Sequence, residues 1–97
     1  MQAWFSVTPI GTGSASVSAE VARAVRAAEA TGVRATTDAS GTLLEGTWEE
    51  CVTGLRAAVD AVLATAPRVS VVAKLDVRTD KPEQSGADKL AALEAHR

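Results

Sequence analysis

Residues 69–77 read VSVVAKLDV, and this stretch has the most regular strand pattern in the chain. Apolar residues at 69, 71, 73, 75 and 77 fall on one side of an extended backbone, whereas Ser70, Val72, Lys74 and Asp76 fall on the other. Pro67 stops a helical pattern just before it. The stretch is therefore predicted to be a strand that follows a helix and carries one apolar and one mixed face.

Working outward from this strand, the same reasoning predicts six more elements. They are a strand at Gln2–Thr8, a helix capped by Ser16 and ended by Gly32, strands at Val33–Ala39 and Thr42–Gly46, a helix that starts at a Thr47–Glu50 capping box, and a short helix at Ala87–Ala95. The order predicts an α+β fold, the ferredoxin-like βαββαβ sandwich. In it, a four-stranded antiparallel sheet carries two helices on one face, here followed by a short C-terminal helix.

Residues 1–97 are predicted to form one ferredoxin-like domain, with residues 79–97 as a polar connection and the C-terminal helix. Two apolar stripes are expected to pack the long helices on the sheet. The first helix presents Val17, Val21, Val25 and Ala28, and the second presents Trp48, Val52, Leu55, Val59 and Val62.

The sheet face turned away from the helices is predicted to be mixed in character. We call it the open face, and its candidates are Trp4, Ser6, Thr8, Thr36, Ser70, Val72 and Lys74. Trp4 and Val72 make it too apolar to lie idle against water, whereas its polar residues make it unsuited to a monomer core. A second sheet packed on it would explain both features, so self-association into a dimer or tetramer is expected.

Composition excludes several classes of function. Ten basic and twelve acidic residues give a net charge of −2, which does not suit a nucleic-acid binder. The apolar runs are too short for a membrane span, and no metal-ligand spacing is present. The single cysteine, Cys51, is expected to be a small buried hydrophobe, and the only histidine, His96, is next to last, so no catalytic set assembles. The protein is predicted to be cytoplasmic.

Residues 9–16, PIGTGSAS, form a loop rich in glycine and hydroxyl groups between the first strand and helix. Ser16 stands where a dinucleotide fingerprint needs its third glycine, and no phosphate-loop lysine follows. Two interpretations remain open. The loop is either a tight turn with a helix cap, or a place that cradles an anion or lines a pocket for a neutral ligand.

Three stretches together resemble the small thiamine-binding protein family: FSVTPIGTGSASVSAEVARAV at 5–25, GTLLEGTWEE at 41–50 and KLDVRTDKP at 74–82. The resemblance implies a ferredoxin-like fold with paired sheets, a dimer or tetramer, and binding of thiamine or its hydroxymethylpyrimidine moiety. It implies neither catalysis nor a cofactor. On these motifs, the candidate ligand-binding residues are Thr12, Ser14, Thr42, Glu45, Lys74 and Arg78.

Each candidate has a specific expected role. Thr42 would hydrogen-bond the ligand, and Glu45 would accept from the pyrimidine amine or offset the thiazolium charge. Lys74 lies within a strand and is expected to meet a ligand or a carboxylate, which is Glu45 or Asp76 of this or another subunit. In the usual strand order, the Gly11–Ser14 loop lies at one end of the sheet and Lys74 and Arg78 lie towards the other. Either Lys74 and Arg78 belong to the subunit interface, or the pocket is shared between subunits, and the shared pocket is favoured.

The sequence thus favours a non-catalytic, oligomeric binder of thiamine or hydroxymethylpyrimidine that acts as carrier, buffer or sensor. The alternative is a regulatory or scaffolding module whose paired sheets only mediate protein assembly. A small enzyme ranks last, because no acid, base or cofactor motif is evident. Trp4 on the open face is a further candidate for stacking on a pyrimidine.

Overall fold

A computed structural model describes all 97 residues and contains four strands and three helices. They are β1 (Gln2–Ile10), α1 (Ser18–Ala30), β2 (Arg34–Thr37), β3 (Thr42–Glu45), α2 (Trp48–Leu63), β4 (Arg68–Asp76) and α3 (Gly86–Glu94). The strands form one sheet in the order β2-β3-β1-β4, and all neighbours are antiparallel. This confirms the predicted ferredoxin-like fold. No helix combines the length and the hydrophobicity that crossing a bilayer requires.

The core lies between the sheet and the two long helices, and small residues bring these layers close together. Phe5 of β1 and Leu44 of β3 are the largest side chains in it, and both are fully buried. α1 contributes Ala24 and Ala28 to the core, so this helix contacts the core most closely through alanines. Its valines are not fully buried and lie at the margin of the core. A core built on alanine is thin, which makes the few large side chains important to stability.

α2 is rotated relative to the prediction. Its buried residues are Cys51, Gly54, Ala58 and Val62, whereas Trp48 and Val52 of the expected stripe are half exposed. The cause is the close approach at Gly54, where a Cβ atom would lie 2.9 Å from Val33 Cγ1 and 3.2 Å from Leu44 Cδ1. The helix therefore packs closely on small residues, and Trp48 and Val52 turn outwards. The rest of the predicted stripe keeps its contact with the core, since Val62 is buried and Leu55 and Val59 are partly buried against it.

The helix starts confirm one predicted cap and correct the other. The Glu50 N–H donates to Thr47 Oγ1 at 3.2 Å and the Thr47 N–H donates to Glu50 Oε1 at 2.9 Å, which is the expected capping box. Ser16 does not cap α1, because the helix starts at Ser18 and its N-cap, Val17, makes no side-chain cap bond. The Ser16 N–H instead donates to Ser14 Oγ at 3.1 Å, so Ser16 belongs to the loop.

β2 is shorter than predicted because a turn ends it early. Asp38 Oδ1 accepts hydrogen bonds from the Ser40 N–H at 2.8 Å and the Gly41 N–H at 3.1 Å, and the Asp38 N–H donates to the Gly41 carbonyl. These bonds fold residues 38–41 into a hairpin turn. Asp38 and Ala39 therefore lie outside the ladder that Arg34–Thr37 makes with β3.

The register places all seven predicted open-face residues on one side of the sheet. Trp4 of β1 is paired with Lys74 of β4 and with Leu43 of β3, and Leu43 is in turn paired with Thr36 of β2. The other four predicted residues also pair on this face, Ser6 with Val72 and Thr8 with Ser70. Paired residues share a face, so this part of the prediction is confirmed.

Residues 79–97, which we call the C-terminal arm, cover one end of the open face. The Gly86 N–H donates to Glu45 Oε2 at 3.1 Å, the Lys89 ammonium pairs with Asp76, and the Gln2 amide donates to the Gln84 carbonyl. α3 buries none of its residues. The arm is therefore held mainly by polar contacts, and it covers an end of the open face that the sequence analysis left uncovered by this chain.

Candidate functional site

A cleft of about 690 Å³ lies at the end of the sheet where β1 begins and β3 ends. Its walls are the end of β3 with Glu45 and Gly46, the first turn of α2, and residues 77–78 and 82–85 between β4 and α3. Arg34 of the neighbouring strand and the start of β1 complete it. Ligand sites in proteins commonly enclose roughly 300–1,000 Å³, so the cleft can accommodate a small organic molecule.

Carboxylates outnumber guanidinium groups around the cleft. It is lined by four glutamates and two arginines: Glu45, Glu49, Glu50, Glu83, Arg34 and Arg78. Glu49 and Glu83 make no ion pair and no side-chain hydrogen bond. The positive groups of the lining are Arg34, Arg78 and the Met1 ammonium, which donates to the Gly46 carbonyl at 2.6 Å, so four carboxylates face three cations. This small excess of negative charge favours a cationic ligand over an anionic one.

Two other charged groups of the cleft, Glu50 and Arg78, are already engaged. Glu50 caps α2, and hydrogen bonds from the Thr47 backbone and hydroxyl lower the pKa of its carboxyl group. The Arg78 guanidinium donates to Asp80 Oδ1 at 3.0 Å and to Gln84 Oε1 at 3.1 Å, and the bonds to Arg78 lower the pKa of Asp80. Arg78 therefore supports the arm, and its positive charge is largely balanced by Asp80.

Two of the six predicted site residues, Glu45 and Arg78, line this cleft together. Glu45 is opposite Gln2 in the β1–β3 register, and Asp76, two residues before Arg78, is opposite Gln2 in the β1–β4 register. Glu45 and Arg78 therefore lie at the same end of the sheet. Glu45 Oε2 accepts from Gly86, and no hydrogen bond engages Oε1.

The other four predicted residues lie elsewhere. Thr42 is only 2% exposed, is on the helix side of the sheet beside Phe5, and has its Oγ1 3.0 Å from Thr37 Oγ1. Thr12 and Ser14 are in the loop after β1, where Thr12 Oγ1 donates to the Ser14 carbonyl at 3.1 Å. β1 has nine residues and spans roughly 27 Å at about 3.4 Å per residue, so this loop does not reach the cleft of its own chain.

Lys74 is exposed on β4 beside Trp4 and makes no ion pair. Within the chain Lys74 meets neither Glu45 nor Asp76, so that part of the expectation is wrong, whereas its contact with a ligand or with another subunit stays a prediction. Asp76 pairs with Lys89 instead, and this interaction lowers the pKa of the Asp76 carboxyl group. The arm supplies the cation that Lys74 was expected to supply.

Sequence reasoning missed two parts of the site. It assigned Trp48 to the core, whereas the rotation of α2 places its half-exposed indole at the cleft. It also took residues 79–85 for a solvated connection, whereas Glu83, Gln84 and Ser85 form a wall. The only local signal for that wall was the Ser85–Asp88 capping box, which shows that the chain turns into a helix there.

Cys51, the one cysteine, is unsuited to nucleophilic chemistry. It is 1% exposed, and burial raises the pKa of its thiol. A raised pKa keeps the thiol protonated, and a buried sulfur is inaccessible to substrate.

We expect Cys51 of the folded protein to react with an aromatic disulfide reagent at pH 8 at least about 100-fold more slowly than after unfolding, because reaction requires local opening. The rate of thiolate release in buffer and in guanidinium chloride measures this. Equal rates in the two conditions would contradict the burial.

A family model described as thiamine-binding protein matches residues 3–94 of this chain. Curated relatives have a similar sequence. A UPF0045 protein of Mycobacterium bovis is 47% identical over 75 residues, which cover 76% of this chain and 72% of the relative. A UPF0045 protein of Methanocaldococcus jannaschii is 36% identical over 88 residues, which cover 91% of this chain and 86% of the relative.

Solved structures have the same fold. A hypothetical protein from Methanocaldococcus jannaschii superposes with a TM-score of 0.87 at 33% identity, over 96% of this chain and 94% of the other. A domain of unknown function from Bacillus cereus superposes with a TM-score of 0.80 at 26% identity, over 92% of this chain and 85% of the other. A Thermotoga maritima protein provisionally assigned to thiamine biosynthesis or salvage superposes with a TM-score of 0.79, over 95% of this chain and 96% of the other. Its sequence is 16% identical, so this similarity supports the fold alone.

Proposed function

Because this chain belongs to the thiamine-binding protein family, we propose that it binds thiamine or its hydroxymethylpyrimidine moiety without catalysing a reaction. As an oligomer, it would act as a carrier, buffer or sensor of that compound. The observation that carries the proposal is the cleft at the Glu45 end of the sheet. All of its lining except Met1 and Gln2 lies within the matched residues, and its carboxylates outnumber its cations.

The chemistry of the ligand matches the groups in the cleft. The aminopyrimidine ring carries an exocyclic amine that donates hydrogen bonds, and the Glu45 Oε1 atom is free to accept one. The thiazolium ring of thiamine is a permanent cation, and Glu49 and Glu83 supply charge of the opposite sign. Nothing in this arrangement requires proton transfer or a covalent bond to the protein.

Self-association is part of the proposal because β4 is an uncovered edge strand. Val71, Val72 and Leu75 of β4 are 37%, 61% and 47% exposed. An edge with apolar side chains on both faces favours pairing with another chain. We propose that the second copy covers this edge and the open face, and that assembly can bring a partner's Thr12 and Ser14, or Lys74, towards the cleft.

Calorimetry tests the proposal directly. We expect saturable heat with thiamine, with hydroxymethylpyrimidine or with both, at a Kd below about 1 mM, and mass spectrometry should recover the ligand unchanged. Chemical conversion of the ligand would contradict a non-catalytic role. Absence of heat with both compounds at near-millimolar concentration would overturn thiamine binding and favour the alternative, a scaffolding module that uses β4 and the open face only for assembly.

A further inference from the structure

Trp48 is a large aromatic residue that the core does not use. It starts α2, is 50% exposed, and lines the cleft beside Glu49. Exposure of so much indole is unfavourable unless another group covers it. The close packing of Gly54 on Val33 and Leu44 fixes the rotation of α2 and holds Trp48 outside the core.

We propose that the Trp48 indole is the surface on which the thiazolium ring of thiamine stacks, and that the cleft therefore prefers thiamine to hydroxymethylpyrimidine. This inference rests on the proposed function and adds the residue that determines specificity. Hydroxymethylpyrimidine lacks the thiazolium ring, so it does not gain from this contact.

Cation–π attraction gives the physical basis. A cation over an aromatic face is attracted by the ring quadrupole, and tryptophan is the strongest of the aromatic side chains in this respect. Glu49, next to Trp48, adds attraction for the same positive charge. The positive end of the α2 dipole opposes a cation, but two features of the first turn weaken this effect. The Thr47 hydroxyl accepts a hydrogen bond from one of the first N–H groups of α2, and Glu49 and Glu50 place negative charge in that turn.

The test compares two ligands on four proteins: the unsubstituted chain, Trp48→Ala, Trp48→Phe and Val52→Ala. Val52 is the matched control, because it lies one turn along the same helix, is 49% exposed and does not line the cleft. Calorimetry of each with thiamine and with hydroxymethylpyrimidine gives the ratio of the two affinities. Size-exclusion chromatography of each variant reports the oligomeric state.

We expect Trp48→Ala to weaken thiamine binding by about 5- to 30-fold and hydroxymethylpyrimidine binding by less than about twofold. Trp48→Phe should retain part of the preference, and Val52→Ala should match the unsubstituted protein. Equal losses for both ligands, no loss for thiamine, or a loss that accompanies a change in oligomeric state would overturn the role of Trp48. If the unsubstituted protein binds neither ligand, the proposed function itself fails, and this inference fails with it.

Discussion

Replacement of Gly54 by leucine is expected to destabilise the protein by about 2–3 kcal/mol, through overpacking offset in part by better helix propensity. Even a Cβ atom at this position would lie 2.9 Å from Val33 Cγ1, and leucine adds three more carbon atoms where α2 meets the sheet. Relief requires α2 to move away from Val33 and Leu44, which would loosen the whole core.

Thermal and chemical unfolding followed by circular dichroism measure this effect. For a domain of this size, the expected loss lowers Tm by roughly 10–20 °C. Thr53→Leu is the matched control, because it adds a leucine to the exposed side of the same helix and should change stability by less than about 0.5 kcal/mol. If the two variants have the same Tm and the same free energy of unfolding, the close approach of α2 to the sheet is wrong.

Replacement of Glu45 by glutamine is expected to weaken thiamine binding by about 10- to 100-fold, which corresponds to the loss of one hydrogen bond to a charged group. Glutamine keeps the size of the side chain, and its carbonyl oxygen can still accept from the Gly86 N–H, so the C-terminal arm should stay in place. The substitution removes the negative charge and replaces the acceptor that faces the ligand with an NH2 donor.

Calorimetry with thiamine measures this loss, and a thermal melt verifies that the variant is folded. Glu29→Gln is the control, since Glu29 is exposed on α1 and does not line the cleft. It should bind as the unsubstituted protein does. Affinity of the Glu45→Gln variant within twofold of that value would remove Glu45 from the site.

Local pattern was sufficient to predict the order of the elements. The alternation in residues 69–77 and the Thr47–Glu50 capping box are signals that depend only on neighbouring residues, and both correspond to observed structure. The register then followed from the fold class, which is why the seven open-face residues could be named in advance.

The rotation of α2 could not be predicted in this way. Its stripe of large apolar residues suggested that Trp48 would be buried, but packing density favoured the face with Gly54 and Ala58. The choice depends on how closely two elements approach, which is a tertiary property. Trp48 was therefore missed as part of the candidate site.

The placement of the C-terminal arm also escaped sequence reasoning. Its contacts with Glu45 and Asp76 join residues 41 and 13 positions apart, through a backbone N–H and a lysine that carry no recognisable motif. Thr42 shows the related difficulty of strand parity: it is three residues from Glu45, so its side chain is on the opposite face of the sheet.

The location of the ligand is the most direct test of this account. Amide chemical shifts of ¹⁵N-labelled protein, followed during a thiamine titration, are expected to change at residues 45–50 and 78–86, around the cleft. Changes at residues 11–14 in addition would place a partner's loop at the same cleft. Saturable changes confined to residues 11–14 or to α1, with residues 45–50 and 78–86 unaffected, would contradict the assignment of the cleft as the thiamine site.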